Sequence, residues 1–507
     1  MAQEYDPADT LIFSFSSNVG PLNPHLYAPN QKYAQYMVYE GLVAQDSKGM
    51  IVPSLAESWE ISPDGRTYVF RIRENATFSD GTPVDAKAIE DNFNMVMNNR
   101  DRHKWMELVG KMVSWKATGP HEFTIVLDSP YYPILEDLAF VRPFRFMSPK
   151  AFPDKGLTAD GIKAPIGSGP WKLVGSELGV YDLFEVNDLY WGEKPNYSKV
   201  LVKIIVDPVA RGMAFETGEI DLIYGTDQIN FESFLRFKKQ AGVTAKTSVP
   251  MGTYSITMNT GRSPTDELAV RQAMELLIDR KQLAQGATYG VLEPTGVFLS
   301  VNQPYCNVGL VPYPYDAVKA ASLLEEAGWK LPPGGKIRER DGKPLSIDYY
   351  FVGSRANEKA AAEILQSQAA ALGVNLNLFG EEENSWAARM LNGEYGMLSY
   401  PTYGPPNEPH SFMSIMRISN HTEYPAQIGL PMKPEIDQAI TDALSSVDVT
   451  KRQEYYKKAL TIIHEQCVYV PLFNNALLSV YRDDRIGHME FAFDFNSVPF
   501  ASFRLKK

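Results

Sequence analysis

The sequence predicts an α/β protein built from two lobes, and three observations support this class. The 507 residues are too many for one ordinary core, because domains commonly hold about 100 to 150 residues. Strand-like runs dominate the first half, and helix-like and strand-like runs alternate after residue 264. Strand-like sequence returns near the C-terminus, which indicates that the chain ends in the lobe where it began.

Short strands are predicted throughout the first half, where β-branched and aromatic residues stand between Gly- and Pro-containing turns. No internal repeat or low-complexity linker separates them. The runs are TLIFSFS at 10–16, TYVFRIR at 67–73, EFTIVLD at 122–128 and KVLVKIIVD at 199–207.

Longer helices are predicted in the second half, where apolar residues recur at i, i+3 and i+4. Short strands alternate with them, as in an α/β layer. The helical patterns cover 265–285, 315–329, 358–373 and 448–466, and the strands are LSIDYYFV at 345–352, VNLNLFG at 374–380 and GMLSYP at 396–401.

Two chain crossings are expected between the lobes, near TSVPMGTYSITMN at 247–259 and near VPLFNNALLSV at 470–480. The predicted boundaries are 1–249 for lobe I, 250–474 for lobe II and 475–507 for the return to lobe I. Paired connections of this kind leave a cleft, and clefts between lobes are where small ligands bind and hinges close.

Charge and hydropathy exclude several classes of protein. The 49 basic and 61 acidic residues give a net charge of −12, which argues against nucleic-acid and anionic-membrane binding. No apolar run reaches the roughly 20 residues of a spanning helix. The N-terminal MAQEYDPADT has no apolar region of a signal peptide, so we expect a cytoplasmic protein or a mature, processed chain to which Met1 was added.

The sequence contains no motif that indicates a catalytic site. Cys306 and Cys467 are the two cysteines, and two buried free thiols are favoured over a single long-range disulfide. The nucleophile-elbow, Walker A, H-E-x-x-H and G-x-G-x-x-G patterns do not occur. The motifs therefore favour a binding protein over an enzyme.

The stretch LAFVRPFRFMSP at 138–149 places two arginines in a sequence typical of a buried strand or a core-facing loop. A guanidinium is costly to bury, and an anionic partner offsets that cost. For Arg142 the residues alone favour an ion pair with Glu136 or Asp137, and the alternative is a ligand that brings its own carboxylate. For Arg145 a structural role is expected.

Four separated blocks resemble the large extracytoplasmic solute-binding proteins that serve ABC importers for peptides and nickel. The resemblance implies a two-lobed periplasmic-binding-protein clamshell with an extra β-rich subdomain at about 56–178. It also implies a monomeric, non-enzymatic protein in the periplasm, or held extracytoplasmically at a membrane, that delivers its ligand to an inner-membrane ABC permease. The blocks are LAESWEISPDGRTYVFRIRENATFSDGTPVDAKAIEDNF at 55–93, APIGSGPW at 164–171, FETGEIDLIYG at 215–225 and YDAVKAASLLEEAGW at 315–329.

The nickel-binding branch of this family is the one that the chain resembles most. Peptide-binding members carry an aspartate in a loop that here reads YGPPNEPHSF, with Pro405 at the matching position. A peptide or opine-like amino-acid conjugate is the alternative ligand class. The segments that resemble the nickel branch are LNPHLYAPNQ at 22–31, NNRDRHKW at 98–105, YYPILEDLAFVRPFRF at 131–146, IKAPIGSGPW at 162–171 and YWGEKPN at 190–196.

The same resemblance implies a ligand of nickel(II), or a related divalent metal, held by a small chelator such as histidine or a polycarboxylate. Arg142 and Arg102 match arginines that receive the chelator's carboxylates, and the planar fork of guanidinium donors suits that role. Trp105, Tyr27 and Tyr403 match aromatic residues that line the same site.

Three matching positions depart from the nickel-binding pattern and leave the chelator open. Tyr403 replaces a tryptophan, Asn407 a tyrosine and Lys32 a methionine. His421 in MRISNHTEY matches the histidine that completes the metal's coordination, which is chemically sensible only if a chelator supplies the other ligands. The histidines that lie near the same motifs and could substitute for it are His25, His103 and His410.

Overall fold

The computed structural model describes residues 6–27, 31–419 and 421–506. Met1 and part of the LNPHLYAPNQ segment therefore lie outside the described residues. The chain divides into two compact units, one formed by Met1–Val249 with Leu477–Lys507 and the other by Pro250–Ala476, here called unit 1 and unit 2. Both contain helices and mixed or antiparallel sheets, so the predicted α/β class is confirmed.

The main sheet of unit 1 has seven strands. Strand Thr10–Phe15 is buried along almost its whole length and pairs in parallel with Lys199–Ile204. Such continuous burial is typical of a parallel strand covered on both faces. The strands, in sheet order, are Val243–Thr247, Leu478–Arg482, Leu222–Gly225, Thr10–Phe15, Lys199–Ile204, Tyr181–Val186 and Trp171–Glu177.

A separate antiparallel sheet of four strands also belongs to unit 1. In Thr67–Ile72 the inward residues Tyr68, Phe70 and Ile72 are buried, as the period of two predicts. Helix Ala86–Met97 begins at Asp85, whose side chain accepts a hydrogen bond from Ala88 N at 2.7 Å. The strands, in sheet order, are Ala56–Ile61, Thr67–Ile72, Glu122–Leu127 and Met112–Gly119.

The remaining elements of unit 1 are short. Two small antiparallel pairs join Val43–Gln45 to Ile51–Pro53 and Ile486–His488 to Arg504–Leu505. The other helices are Lys32–Val38, Glu107–Lys111, Ile134–Ala139, Pro208–Glu216 and Phe231–Phe237, with 3-10 turns at Pro7–Asp9, Arg100–His103, Pro149–Ala151, Thr158–Asp160 and Phe500–Ser502.

Unit 2 is organised around a mixed sheet of five strands whose member Gly252–Met258 is buried throughout. In sheet order the strands are Asn375–Glu381, Ser346–Val352, Met397–Pro401, Gly252–Met258 and Tyr469–Asn475, and a small pair joins Glu339–Arg340 to Lys343–Pro344. The helices are Leu268–Leu277, Arg280–Thr288, Ala317–Glu326, Ala356–Ala371, Glu383–Asn392, His410–Ser414, Tyr424–Gln427, Lys433–Ser445 and Val449–Glu465, with a 3-10 turn at Ile415–Arg417.

The helical pattern over 265–285 forms two helices, because the chain is extended at Ile278. The side chain of Asp279 accepts hydrogen bonds from Lys281 N at 3.1 Å and Gln282 N at 3.0 Å, and so caps the second helix. Local side-chain bonds of this kind compete with a continuous helix. The apolar periodicity continues across the break and does not reveal it.

The strand-like run at 468–482 is also divided. Its first part, Tyr469–Asn475, belongs to the sheet of unit 2, and Leu478–Arg482 belongs to the main sheet of unit 1. At the second crossing Ser248 N donates to Leu477 O at 2.9 Å, and Leu477 N donates to Ser248 Oγ at 3.0 Å. These two bonds tie together the chain segments that leave and re-enter unit 1.

Two further expectations are tested by the structure. Cys306 and Cys467 are free and buried, so the prediction of two separate thiols is confirmed. None of the helices in the described part of the chain is both long and apolar enough to cross a membrane.

Candidate ligand site

Arg142 lies in the loop after helix Ile134–Ala139 and is partly buried. Its Nε is buried without a hydrogen-bond partner, and within the described ranges the guanidinium forms no ion pair with a carboxylate. The ion pair with Glu136 or Asp137, which the residues alone favoured over a ligand, is not formed among the described residues, and Asp137 accepts from Tyr131 Oη at 2.9 Å. Burial lowers the pKa of Arg142 from its ordinary value. The side chain therefore presents a charge that still needs an anion.

Arg145 occupies the same loop and is only 4% exposed. Its Nε donates to the carbonyl of Phe140 at 3.1 Å, and its Nη2 donates to the carbonyl of Ala139. The guanidinium carbon lies 4.7 Å from the centroid of the Tyr36 ring. These contacts support the structural role predicted for Arg145, whose side chain also lines a second cavity of unit 1 with a volume of about 540 Å³.

Tyr27 is held from two sides by neighbouring side chains. Trp105 Nε1 donates to Tyr27 Oη at 2.6 Å, and Tyr27 Oη lies 2.5 Å from His103 Nδ1. Burial lowers the pKa of His103 to about 4, so its neutral ring accepts the phenolic hydrogen. Burial also raises the pKa of Tyr27 to about 12. The phenol is thus neutral and fixed in orientation.

Both predicted carboxylate-binding arginines contact this tyrosine. The guanidinium carbon of Arg142 lies 4.5 Å from the centroid of the Tyr27 ring, and that of Arg102 lies 5.6 Å from it. A cation beside an aromatic face gains electrostatic energy without its charge being neutralised. The structure therefore brings Arg142, Arg102, Tyr27 and Trp105 together in unit 1.

Lys32 is the first residue of helix Lys32–Val38 and is partly buried. Its Nζ donates to Asn496 Oδ1 at 2.8 Å and lies 5.9 Å from the centroid of the Phe140 ring. Burial and, to a smaller extent, the positive charge of Arg142 lower the pKa of Lys32 to about 8, against the opposing effect of the Asp494 carboxylate. The ammonium makes no ion pair within the described residues.

A cavity of about 410 Å³ in unit 1 adjoins these cations. Small-molecule sites commonly have volumes of about 300 to 1,000 Å³ and a few polar groups that orient the ligand. Its wall is formed by residues distant in sequence, among them Lys32, Arg142, Tyr224, Thr226, Gln228 and Asn496.

The predicted site residues of unit 2 form a neutral, partly aromatic group. Tyr400 Oη donates to Tyr403 Oη at 2.7 Å, and the Tyr403 and Phe412 rings lie edge to face with centroids 4.8 Å apart. Burial raises the pKa of Tyr403 to about 12. The side chain of Asn407 makes no hydrogen bond within the described residues, so its amide is available to a ligand.

His421 is partly buried, and burial lowers its pKa below the ordinary value. Its Nδ1 accepts a hydrogen bond from Thr422 N at 2.9 Å and lies 3.1 Å from Thr422 Oγ1. A neutral ring that accepts at Nδ1 carries its hydrogen on Nε2. Coordination of a metal through Nε2 therefore requires the ring to change tautomer and to release Thr422 N.

The alternative histidines are engaged inside the protein or deeply buried. His25 Nδ1 lies 2.8 Å from Thr158 Oγ1, and its Nε2 lies 3.2 Å from the Arg145 carbonyl. His410 is 2% exposed. Among the described residues no group of three or more His, Cys, Asp or Glu side chains is placed to hold a metal ion.

Two contacts of this region were not expected from the sequence. Asn496 accepts a hydrogen bond from Lys32, which lies 464 positions away in the sequence, and no local sequence pattern connects the two residues. The hydrogen bond between His103 and Tyr27 likewise depends on how the loops fold. The segment NNRDRHKW did mark the neighbourhood of His103.

A family model for bacterial extracellular solute-binding proteins, family 5, middle region, matches residues 50–424. The chain is 43% identical to the nickel-binding periplasmic protein of Escherichia coli strain K12, over 97% of this chain and 94% of that protein. The chain belongs to family 5 of the bacterial extracellular solute-binding proteins. The family and the α/β fold predicted from the four sequence blocks are thereby confirmed.

Proteins similar to this chain are described with different ligands. The crystal structure of NikA from Brucella suis in complex with Fe(III)-EDTA has a TM-score of 0.96 and 46% identity, and the match covers 98% of this chain and 100% of that one. A probable di/tripeptide-binding protein of Pseudomonas aeruginosa is 25% identical over 87% of this chain and 85% of its own length. Family membership alone therefore does not identify the class of ligand, which has to be inferred from the residues of the site.

Proposed function

We propose that this family 5 protein is the extracytoplasmic binding component of an ABC importer and captures nickel(II), or a related divalent metal, in complex with a small carboxylate or amino-acid chelator. No chemical step is assigned to it. It would then deliver the complex to an inner-membrane permease. Unit 1 supplies the carboxylate anchors, and Tyr403, Asn407 and His421 of unit 2 are further proposed contacts.

The observation that carries this proposal is that the Arg142 guanidinium has no carboxylate partner in the part of the chain that the structure describes. A partly buried cation without an internal acid is costly, and a ligand carboxylate would offset that cost through a charge-assisted hydrogen bond. The scarcity of protein metal ligands among the described residues adds to it, because the chelator then has to hold the metal. The similarity to a nickel-binding periplasmic protein and to a NikA structure with Fe(III)-EDTA agrees with a chelate ligand.

A peptide or opine-like conjugate is the alternative, and the unit 2 loop argues against a free peptide. Pro405 stands where peptide binders carry an acid. The nearby carboxylate of Glu408 is 2% exposed; its Oε1 accepts a hydrogen bond from Gly404 N at 2.6 Å, and its Oε2 is buried without a hydrogen-bond partner. At position 405 an α-ammonium would lack the acid that peptide binders supply, and an ammonium left unpaired in a dry site costs several kcal/mol.

Thermal unfolding and calorimetric titration with matched ligands test the proposal. A ligand that binds the native state at 100 times its Kd adds about 2.7 kcal/mol to the unfolding free energy. Nickel citrate or nickel with L-histidine should therefore raise the melting temperature, whereas unmodified tripeptides should not. A clear shift with tripeptides and none with either chelate would support the alternative.

A further inference from the structure

Lys32 is a partly buried ammonium whose hydrogen-bond acceptor is a neutral amide. The acceptor is Oδ1 of Asn496. The orientation of this side chain is fixed because its Nδ2 donates to Asp494 Oδ1 at 2.7 Å. Asp494 in turn accepts from Tyr36 Oη at 2.5 Å. The carboxylate of Asp494 thus holds the amide in place, and Oδ1 of the amide holds the ammonium.

Arg142 lines the same cavity as Lys32, and its charge disfavours the charged form of the lysine. Like charges on one wall repel each other and are costly unless an anion lies between or beside them. Arg142 Nε and Gln228 Oε1 are also buried without a hydrogen-bond partner. The cavity therefore combines two cations and an unused guanidinium donor, which point to an anionic occupant. The unused Gln228 oxygen would accept a hydrogen bond from a donor on that occupant.

We propose that Lys32 and Asn496 form a second carboxylate subsite beside the arginine anchors, which directs the protein toward chelators with three or more carboxylates. This inference rests on the proposed function and narrows its ligand class. Lys32 binds the additional carboxylate directly, whereas Asn496 is a positioning residue that keeps the ammonium at the cavity wall. A chelate with fewer carboxylates leaves this subsite without an anion.

Calorimetric titration at pH 7 with two nickel chelates tests the subsite. Lys32 remains largely protonated at this pH because its pKa is about 8. Nickel citrate carries three carboxylates, and nickel with L-histidine carries one carboxylate per ligand. Lys32→Met should weaken nickel citrate by roughly ten- to a hundredfold, the usual loss for one charge-assisted contact. The same variant should change the affinity for nickel–histidine by less than about threefold.

Two variants control for the charge change and for folding. Lys32→Arg keeps a cation and should retain most of the affinity for nickel citrate. Lys111→Met removes a similarly buried lysine of unit 1 that pairs with Glu107 at 3.6 Å and does not line the cavity. It should leave both affinities unchanged, and the melting temperature of each variant confirms that it is folded.

The outcomes separate failure of the subsite from failure of the proposed function. A selective loss in Lys32→Met that Lys32→Arg restores supports the subsite. If Lys32→Met loses equal affinity for both chelates, or loses none for either, the subsite is overturned. If Arg142→Ala weakens chelate binding in the same experiment, the proposed chelate-binding function is still supported. If the unmutated protein binds neither nickel chelate, both the function and the subsite are overturned.

Discussion

Arg145 and Arg142 stand three positions apart in one loop of unit 1, and their surroundings differ. Arg145 donates to the Ala139 and Phe140 carbonyls and lies over the Tyr36 ring. Arg142 has the Tyr27 ring but no carboxylate partner within the described residues. The first belongs to the folded core. The second has donors left over for a ligand.

Buried cations elsewhere in the chain resemble Arg145. Arg271 in unit 2 donates to the carbonyls of Thr265 at 2.9 Å and Gln466 at 2.8 Å. Lys433 donates to the Met416 carbonyl at 2.8 Å and pairs with a neighbouring aspartate. Carbonyls or an acid therefore accept hydrogen bonds from Arg145, Arg271 and Lys433, whereas Lys32 donates to a neutral amide and Arg142 has no carboxylate partner among the described residues.

The largest expected effect is loss of stability in Arg145→Met. Removing the guanidinium leaves two buried carbonyls without donors, and each costs about 1 to 3 kcal/mol. We expect the unfolding free energy from urea denaturation to fall by about 2 to 5 kcal/mol. Arg142→Met is the matched control and should cause no comparable loss, because it removes a charge that has no internal partner. Similar losses in both variants would remove the distinction between the two arginines.

The second expected effect is a loss of ligand affinity, and here Arg142 is the arginine whose removal matters. Arg142→Ala should weaken nickel citrate by roughly ten- to a hundredfold, since it removes a charge-assisted contact with a carboxylate. Arg102→Ala should also weaken binding, but less, because Arg102 is exposed to water. Calorimetry measures both. Unchanged affinity in both variants would return these arginines to a structural or surface role.

A smaller effect is expected for Tyr27→Phe. The substitution keeps the ring beside the two guanidiniums but removes the oxygen that Trp105 and His103 contact. We expect the unfolding free energy to fall by about 1 kcal/mol and nickel citrate affinity to change by less than about threefold. Tyr27→Leu also removes the ring and should weaken binding further. Identical affinities of these two variants would show that the aromatic face is not used.

The smallest effect concerns His421 and pH. Burial lowers its pKa below the ordinary value of about 6.5, so the ring is neutral at pH 7 and protonation begins only below that value. If His421 bonds the metal, affinity for nickel with one L-histidine should fall from pH 7 toward pH 5. Affinity for nickel–EDTA, which has no open position, should fall less.

His421→Ala is the control for this pH dependence. The ratio of unmutated to variant affinity cancels the effect of pH on the free chelates. That ratio should fall toward one as the pH is lowered from 7 for nickel–histidine and should stay constant for nickel–EDTA. Identical profiles for both chelates in the unmutated protein would exclude a histidine ligand.

Local sequence patterns predicted many of the elements well. Runs such as TYVFRIR and KVLVKIIVD form the strands Thr67–Ile72 and Lys199–Ile204, because alternation or continuous apolarity reports which faces are buried. The same patterns did not locate the break at Ile278 or the division of 468–482 between two sheets. Periodicity describes burial, and both sides of each break are buried.

The sequence by itself determined the α/β class, the family and the neighbourhood of the anchors, because these depend on local periodicity and on motifs carried along the chain. Only the tertiary structure decided which buried cations find hydrogen-bond acceptors within the protein. Arg145 finds carbonyls five and six positions away, whereas Lys32 meets an amide 464 positions away. Hydrogen-bond completion depends on where distant backbone and side-chain atoms meet in space, and residue types along the chain do not specify that.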